Sequence, residues 1–243
     1  MKERLDVLLF KRGIVDSRER AKALIMEGKV LVNARAVTKA GASIDADARI
    51  EMKGEDMPYV SRGGLKLDAA IEHFAIKLRD VIAIDVGSST GGFTDCMLQR
   101  GAKRVYCVDV GYGQLSWPLR NDPRIILFER TNIRYLEKEK IPEDIDFATV
   151  DLSFISLKKV LAKVMEFLRH EGEILALVKP QFEVGKGEIG KGGIVRDERQ
   201  RMAAVDGIAG YAEEIGLKAK GIFRSPVLGQ KGNQEYFCYL RNP

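Results

Sequence analysis

Apolar positions follow two rhythms along this chain. In the first, Leu5, Leu8 and Leu9 form a stripe at helical spacing, closed by Gly13, a natural left-handed stop. A second short helix is expected after Asp16 or Ser17, either of which can cap it. Its inward face carries Ala21, Leu24 and Ile25, and Gly28 ends it. Strand-like pieces follow at 29–33 and 48–52, with turn residues between them. A unit this short sits near the lower limit for independent folding. The stretch 54–58 reads as a linker, so two domains are expected, 1–58 and 59–243.

From Val81 onward the rhythm changes to Val/Ile-rich runs at 81–86, 104–110, 124–128, 146–150 and 173–178. Helix-length segments separate them, including 92–100 and 157–169. Continuous apolar strands alternating with helices predict a doubly wound parallel sheet, an α/β fold. The tail departs from that pattern, because 217–223 and 235–240 read as strands joined without a helix. An antiparallel end to a parallel sheet fits a methyltransferase-type Rossmann fold better than a dehydrogenase. Before it stands the small α+β domain.

Composition adds compartment and charge. The chain of 243 residues is 45% apolar and 31% charged, ordinary for a globular protein. No apolar run approaches the ~18 residues that span a bilayer, and the start, MKERLDVLLFKRG, lacks the form of a secretory signal. Cys96, Cys107 and Cys238 lie far apart without a CxxC, as small core residues of a reducing compartment. His73 and His170 have no ligand-spaced neighbours, so no metal site is expected. A cytoplasmic location follows. Of the net charge of +5, the N-terminus holds the excess: residues 1–40 carry ten Lys/Arg against five Asp/Glu. Arg4, Lys11, Arg12, Arg18, Arg20, Lys22 and Lys29 suit a phosphate backbone, although a solvated helix face would carry the same charges. Arg62, near the start of the second domain, joins this RNA-binding set.

The segment from Ile82 to Asp95 places a glycine-rich turn between the first sheet strand and a helix. Its candidate ligand contacts are Asp85, Gly87, Ser88, Ser89, Thr90, Gly91, Gly92 and Phe93. A dinucleotide site would want G-x-G-x-x-G around a pyrophosphate, and an acid at the strand end would repel one. Asp85 suits instead the cationic amino-acid end of S-adenosylmethionine. Asp109, followed by Val110, ends the next strand, where an acid accepts from two ribose hydroxyls. Asn132 lies where an adenine edge would be read; a plain turn residue is the alternative. For Phe93 the alternative is a core aromatic.

Four further residues stand where an open sheet presents side chains to a ligand. Lys66 lies on an entering helix, Asp151 ends the fourth strand, Lys179 ends the fifth before Pro180, and Glu235 opens the last. Their order resembles the K-D-K-E tetrad of FtsJ-like ribose 2′-O-methyltransferases, and Ser61-Arg62 with Lys66-Leu67 resembles the motif that opens their fold. With the preceding domain, the chain is closer still to the TlyA (hemolysin A) family of ribosomal-RNA methyltransferases. There an S4-type RNA-binding domain precedes an FtsJ-like catalytic domain. Arg4-Leu5-Asp6, Ser17-Arg18, Ala21, Ile25, Gly28-Lys29-Val30 and Val32-Asn33 resemble its helix–helix–strand motif. No tetrad member is missing.

The resemblance implies S-adenosylmethionine as cofactor, ribosomal RNA or ribosomal subunits as partner, and transfer of a methyl group to a ribose hydroxyl, of cytidine by family likeness. It makes Lys179 the base candidate. An amine accepts a proton only after losing its own, which a neighbouring cation such as Lys66 and partial desolvation favour. Asp151 would orient Lys179, and Glu235 would position Lys66 or the ribose. The glycine-rich stretch 183–193 is either a flap that orders on RNA or a plain loop, and it is no Walker A loop. Three other readings compete. A base-directed RNA methyltransferase would want Asn-Pro-Pro-Tyr-like or cysteine motifs, which are absent. A non-enzymatic ribosome-assembly factor would not need the tetrad. A membrane-active hemolysin would want a signal, a spanning helix or an amphipathic β-repeat, and the sequence shows none of these patterns.

Overall fold

The computed structural model describes residues 2–243 apart from Asp16, 53–56, Lys186, Glu188 and Lys191. It divides into two compact units, Met1–Met57 and Pro58–Pro243. In the first, strand β1 (Lys2–Arg4) leads into helices α1 (Leu5–Lys11) and α2 (Arg18–Met26). Strands β2 (Val30–Val32), β3 (Arg35–Ala36), β4 (Ser43–Asp45) and β5 (Ile50–Met52) follow. β2 is the centre of an antiparallel sheet of order β3-β2-β5, and β1 pairs with β4. The stripe Leu5, Leu9, Ala21, Leu24 and Ile25 packs on Val30, Val32 and Ala48. Ser17 caps α2 by accepting from the Arg20 amide at 3.1 Å; Asp16, the other expected cap, lies outside the described residues, as does most of the expected linker. β1, β3 and β4 were not legible, because two or three residues are too few to show a two-residue alternation.

The second unit opens with helix α3 (Arg62–Phe74) and continues through β6 (Ile82–Val86), α4 (Gly92–Gln99), β7 (Arg104–Val108), α5 (Trp117–Arg120), β8 (Ile125–Phe128), β9 (Ile145–Val150), α6 (Leu161–Met165), β10 (Leu168–Val178), α7 (Glu198–Glu214), β11 (Lys218–Arg224) and β12 (Tyr236–Arg241). One seven-stranded sheet has the order β11-β12-β10-β9-β6-β7-β8. Strands β6 to β10 run parallel, and β12 is antiparallel to both β10 and β11. The chain starts mid-sheet at β6, runs outward to β8 and returns at β9. The order therefore reverses between β6 and β9, the place where an open α/β sheet leaves a crevice at its carboxyl ends.

Both sheet faces are covered. Ile84, Val86, Val108, Val150 and Val178 pack with Val205 and Ile208 of α7 on one face. Ala83, Cys107, Phe147 and Leu175 pack with Leu67 and Ile71 of α3 and Met97 of α4 on the other. Burial on both faces explains why these strands read as apolar runs instead of alternations. The expected 157–169 helix is shorter in fact, a single turn at Leu157–Lys159 followed by α6. β10 takes over at Leu168, with a register shift before Glu173 and Glu171 at φ +63°. All three cysteines are buried and free.

Candidate active site

The loop after β6 is shaped by close approach. Gly87 has φ +89°, and a β-carbon there would collide with the carbonyl of Asp151; only glycine meets both conditions. At Gly92, the first residue of α4, a β-carbon would strike Ser61 Oγ, so α3 and α4 meet at their openings. The loop between them, with Ser88, Ser89 and Thr90, lines a cleft of about 400 Å3 together with Arg62, Lys66, Phe93, Asp151, Lys179 and Glu235. Ser88 Oγ is buried without a hydrogen-bond partner among the described residues, a polar atom left for something other than the protein. Phe93 is 4% exposed and belongs to the core as well as the cleft wall.

All four members of the sequence tetrad lie on this one cleft, joined as two ion pairs. Lys66 Nζ is 2.7 Å from Glu235 Oε2, and Lys179 Nζ is 2.6 Å from Asp151 Oδ1. Lys179 Nζ also donates to Ser153 Oγ at 3.0 Å. Glu235 is buried, and Gly229 lies so close that a β-carbon there would overlap its carboxylate.

A second lobe, of about 470 Å3, continues the cleft past Gly87, Ser89, Asp151, Ser153 and Phe154, residues common to both. It is walled by Val86, Val110, Ile133 and Leu152 and faced by Asp109 and Asn132. Asp109 accepts from the amides of Ser89 at 2.8 Å and Gly111 at 2.6 Å, which fixes the carboxylate at the lobe and leaves lone pairs for further donors. Asn132 Oδ1 caps the turn Ile133–Tyr135 through the Arg134 amide at 3.1 Å.

Asp85 sits elsewhere. The pleat of β6 turns it to the α4 side, fully buried, where Thr94 Oγ1 donates to one oxygen at 2.6 Å and Thr149 Oγ1 to the other at 2.9 Å. It is not on the cleft wall, so the sequence-based contact with a ligand amine is corrected to a place behind the loop. Burial pushes its pKa up to about 6 against the pull of the two threonine hydroxyls, and Asp151 adds to the rise.

Several lining residues escaped the sequence reading. Phe154 is 89% exposed at φ +65° and lies 5.1 Å from the Phe182 ring, at the junction of the lobes. A bulky residue at positive φ is held there by its surroundings; only its position just after Asp151 could have flagged it. Ser153 and Gln114 likewise carried no pattern. Glu183 anchors the start of the glycine-rich stretch by accepting from Ser156 Oγ at 2.6 Å and the Leu157 amide at 2.9 Å.

Within the N-terminal unit the expected phosphate-binding cations are partly engaged internally. Arg4 and Arg18 both pair with buried Asp6, at 3.0 and 3.1 Å. Lys11 pairs with Glu3, Lys22 with Glu19 and Lys29 with Glu27. Arg12 donates to the carbonyls of Ala46 and Ala48, which turns it toward its own unit's loop. The Arg20 side chain has no hydrogen bond or ion pair among the described residues, while its amide donates to Ser17 Oγ.

A mainly parallel sheet with one antiparallel strand, whose carboxyl ends open on a glycine-loop cleft, defines the class of Rossmann-like methyltransferases. The FtsJ-like methyltransferase model matches residues 59–242, and the chain belongs to that family. An S4 domain matches residues 3–50. The chain is 46% identical over 239 residues to the 16S/23S rRNA (cytidine-2′-O)-methyltransferase TlyA of Mycobacterium tuberculosis, covering 98% of this chain and 89% of that one. It is 38% identical to Hemolysin A of Brachyspira hyodysenteriae, over 98% of this chain and 99% of that one. A solved structure described as a candidate hemolysin from Streptococcus thermophilus is 44% identical, with a TM-score of 0.78 over 99% of this chain and 88% of that one.

Proposed function

We propose that this chain transfers a methyl group from S-adenosylmethionine to a ribose 2′-hydroxyl of ribosomal RNA, cytidine being the target nucleoside. The observation that carries the reading is the two-lobed cleft, in which the Lys66–Glu235 and Lys179–Asp151 pairs lie beside a lobe faced by Asp109. The donor set fits the cofactor: Asp109 offers acceptors to a ribose diol, the apolar wall of Val110, Ile133 and Leu152 suits a purine, and the Gly87–Gly92 loop with unpartnered Ser88 Oγ suits the amino-acid end. When bound, S-adenosylmethionine supplies an electrophilic methyl group on sulfur. The protein's part is to align a weak nucleophile and take its proton. We assign proton acceptance to Lys179 Nζ, held in place by Asp151 and Ser153. Lys66, held by Glu235, faces the same cleft and positions the ribose.

Residues 1–58 supply RNA affinity and 59–243 the chemistry. The S4 match and the basic excess of the N-terminus support that division, with Arg4, Lys11, Arg18, Arg20, Lys22 and Lys29 as phosphate contacts. A ribosomal substrate places the protein in the cytoplasm. The hemolysin names of two relatives point elsewhere, but among the described residues no helix is long and apolar enough to cross a membrane, and no group of His, Cys, Asp and Glu could hold a metal. The test is transfer of tritiated methyl from S-adenosylmethionine to unmodified ribosomal subunits, followed by digestion to nucleosides. Label in a 2′-O-methylribonucleoside is expected; label on a base, or none, overturns the reading.

A further inference from the structure

Asn233 stands two residues before Glu235 and is 3% exposed. Both ends of its amide are engaged: Oδ1 accepts the Val195 amide at 3.2 Å, and Nδ2 donates to the Gly193 carbonyl at 2.9 Å. No other orientation of the amide satisfies both, since a flip would set donor against donor and acceptor against acceptor. The Asn233 carbonyl accepts the Gly229 amide at 2.8 Å and so closes the 229–233 turn. Gly229 lies directly against the Glu235 carboxylate. The opposite side is fixed too, because the Glu235 carbonyl accepts the Ser225 amide at 3.0 Å and Gln234 Nε2 donates to the Ser225 carbonyl at 2.8 Å. A continuous path of contacts therefore runs from 193–195 through Asn233 and Gly229 to the Glu235 carboxylate and on to Lys66, 2.7 Å away.

We propose that Asn233 is a positioning residue of the reaction. It locks the 229–233 turn onto 193–195, and through Gly229 it sets the Glu235 carboxylate that holds Lys66 in the cleft. The proposal rests on the methyltransferase reading. Among the described residues Asn233 forms no hydrogen bond with the four tetrad side chains, and its route to them is the Glu235 carboxylate packed against Gly229: if the turn shifts, Glu235 follows. Misplacement by about 1 Å is enough to cost on the order of a hundredfold in rate.

A merely structural asparagine would also weaken the fold when removed, so the test is a double-mutant cycle and not a single loss. Full-length wild type, Asn233→Ala, Glu235→Gln and the double variant are compared in single-turnover methyl transfer to ribosomal subunits, with enzyme in excess. Binding of S-adenosylmethionine is followed by calorimetry. Asn233→Ala is expected to slow transfer about tenfold to a hundredfold with cofactor affinity unchanged. In the Glu235→Gln background the same substitution is expected to add no further loss, because its route to the chemistry is already gone. Gly229→Ala is expected to behave like Asn233→Ala. A wild-type rate for Asn233→Ala, or an equal multiplicative loss in both backgrounds, overturns the proposal. If Asn233→Ala does not fold, Asn233→Asp, which keeps the volume and the acceptor for Val195 but lacks the donor for Gly193, enters the cycle with the same two outcomes. A wild-type chain that transfers no methyl group overturns the functional reading itself, and a wild type that is active while the cycle is additive overturns this proposal alone.

Discussion

Replacing Asp85 by asparagine is expected to stabilise the protein, and only above a definite pH. The carboxyl is fully buried, and it accepts from the hydroxyls of Thr94 and Thr149 and from the Thr94 backbone amide. Burial lifts its pKa from 3.8 to about 6. In the unfolded chain the group ionises near its ordinary value, so between about 4 and 6 the folded state binds more protons than the unfolded one. Stability from this residue therefore falls as pH rises through that window. Above it the fold carries an ionised buried group at a cost of about 3 kcal/mol; below it both states are protonated and the cost vanishes. An amide keeps the shape, can accept from one threonine and donate to the other, and carries no charge. Asp85→Asn is thus expected to exceed wild type by up to about 3 kcal/mol at pH 7.5, roughly 6 to 12 °C in melting temperature for a unit of this size. The advantage is expected to shrink to about 0.5 kcal/mol near pH 4 and to vanish below it. Urea unfolding followed by far-UV circular dichroism at pH 7.5, 5.5 and 4 reads both values, and the difference between variants cancels the titrating groups that do not interact with Asp85. A variant less stable than wild type at pH 7.5 would refute the reasoning, since it would mean that the ionised carboxylate is held favourably. Asp6 is the opposite case, held down to about 2 by its hydrogen bond from Arg4; its stabilisation is present above the ordinary carboxylate range and fades as pH falls toward 2.

Other outcomes follow from the site. Lys179→Ala is expected to keep cofactor and RNA binding while losing about 100- to 10,000-fold in rate. Lys179→Arg is expected to be nearly as slow, because a guanidinium stays protonated; near-normal turnover of Lys179→Arg in the methyl-transfer assay would remove the base assignment. Phe154→Ala is expected to lower kcat/KM for ribosomal subunits by about tenfold to a hundredfold, the worth of one stacked base, with an unchanged melting temperature given the exposure of the ring. Alanine at both Arg20 and Lys22 is expected to weaken RNA binding and reduce its logarithmic salt slope by about 1 to 2, with cofactor affinity intact; filter binding across a salt series checks it.

The rhythm of apolar residues made the parallel sheet legible, because strands buried on both faces leave uninterrupted runs. It also made the two N-terminal helices legible, through Gly13, Gly28 and a capping serine. Pleat direction was harder to read. Asp85, Asp109 and Asp151 all lie at strand ends in the sequence, yet the structure sends Asp85 toward Thr94 and Thr149 and the other two into the cleft. Which face an end residue takes depends on its register with neighbouring strands, a relation between segments far apart in the chain. For the same reason the tetrad's pairing was legible only through the family resemblance and not from spacing, since Lys66 and Glu235 are 169 residues apart. Asn233 and Gly229 were invisible for a related reason: a side chain that ties two loops together has no periodicity, and a glycine required by a neighbour's carboxylate looks like any loop glycine. Phe154 broke a rule of local preference outright, as residues at functional sites tend to do.

Charge in the cleft bears on how the two units divide the work. Its wall holds Arg62, Lys66 and Lys179 against Asp151 and Glu235, and both lysines already face carboxylates. Such a lining is close to neutral, so it offers little long-range attraction to a polyanion. Its pairs fix geometry: Glu235 is buried, so removing Lys66 would leave it uncompensated, and the partly buried Lys179–Asp151 pair is held in the same way but more weakly, which keeps both lysines from wandering toward the nearest phosphate. Affinity for a polyanionic substrate then has to come from elsewhere, and the ten cations of residues 1–40, against five acids, are the excess available. A site in which the lysines themselves bound phosphate would hold RNA more tightly but would lose the register that a ribose hydroxyl needs. Separation of attraction from alignment suits this chemistry, and a basic N-terminal unit with a nearly neutral cleft in the second unit is consistent with it.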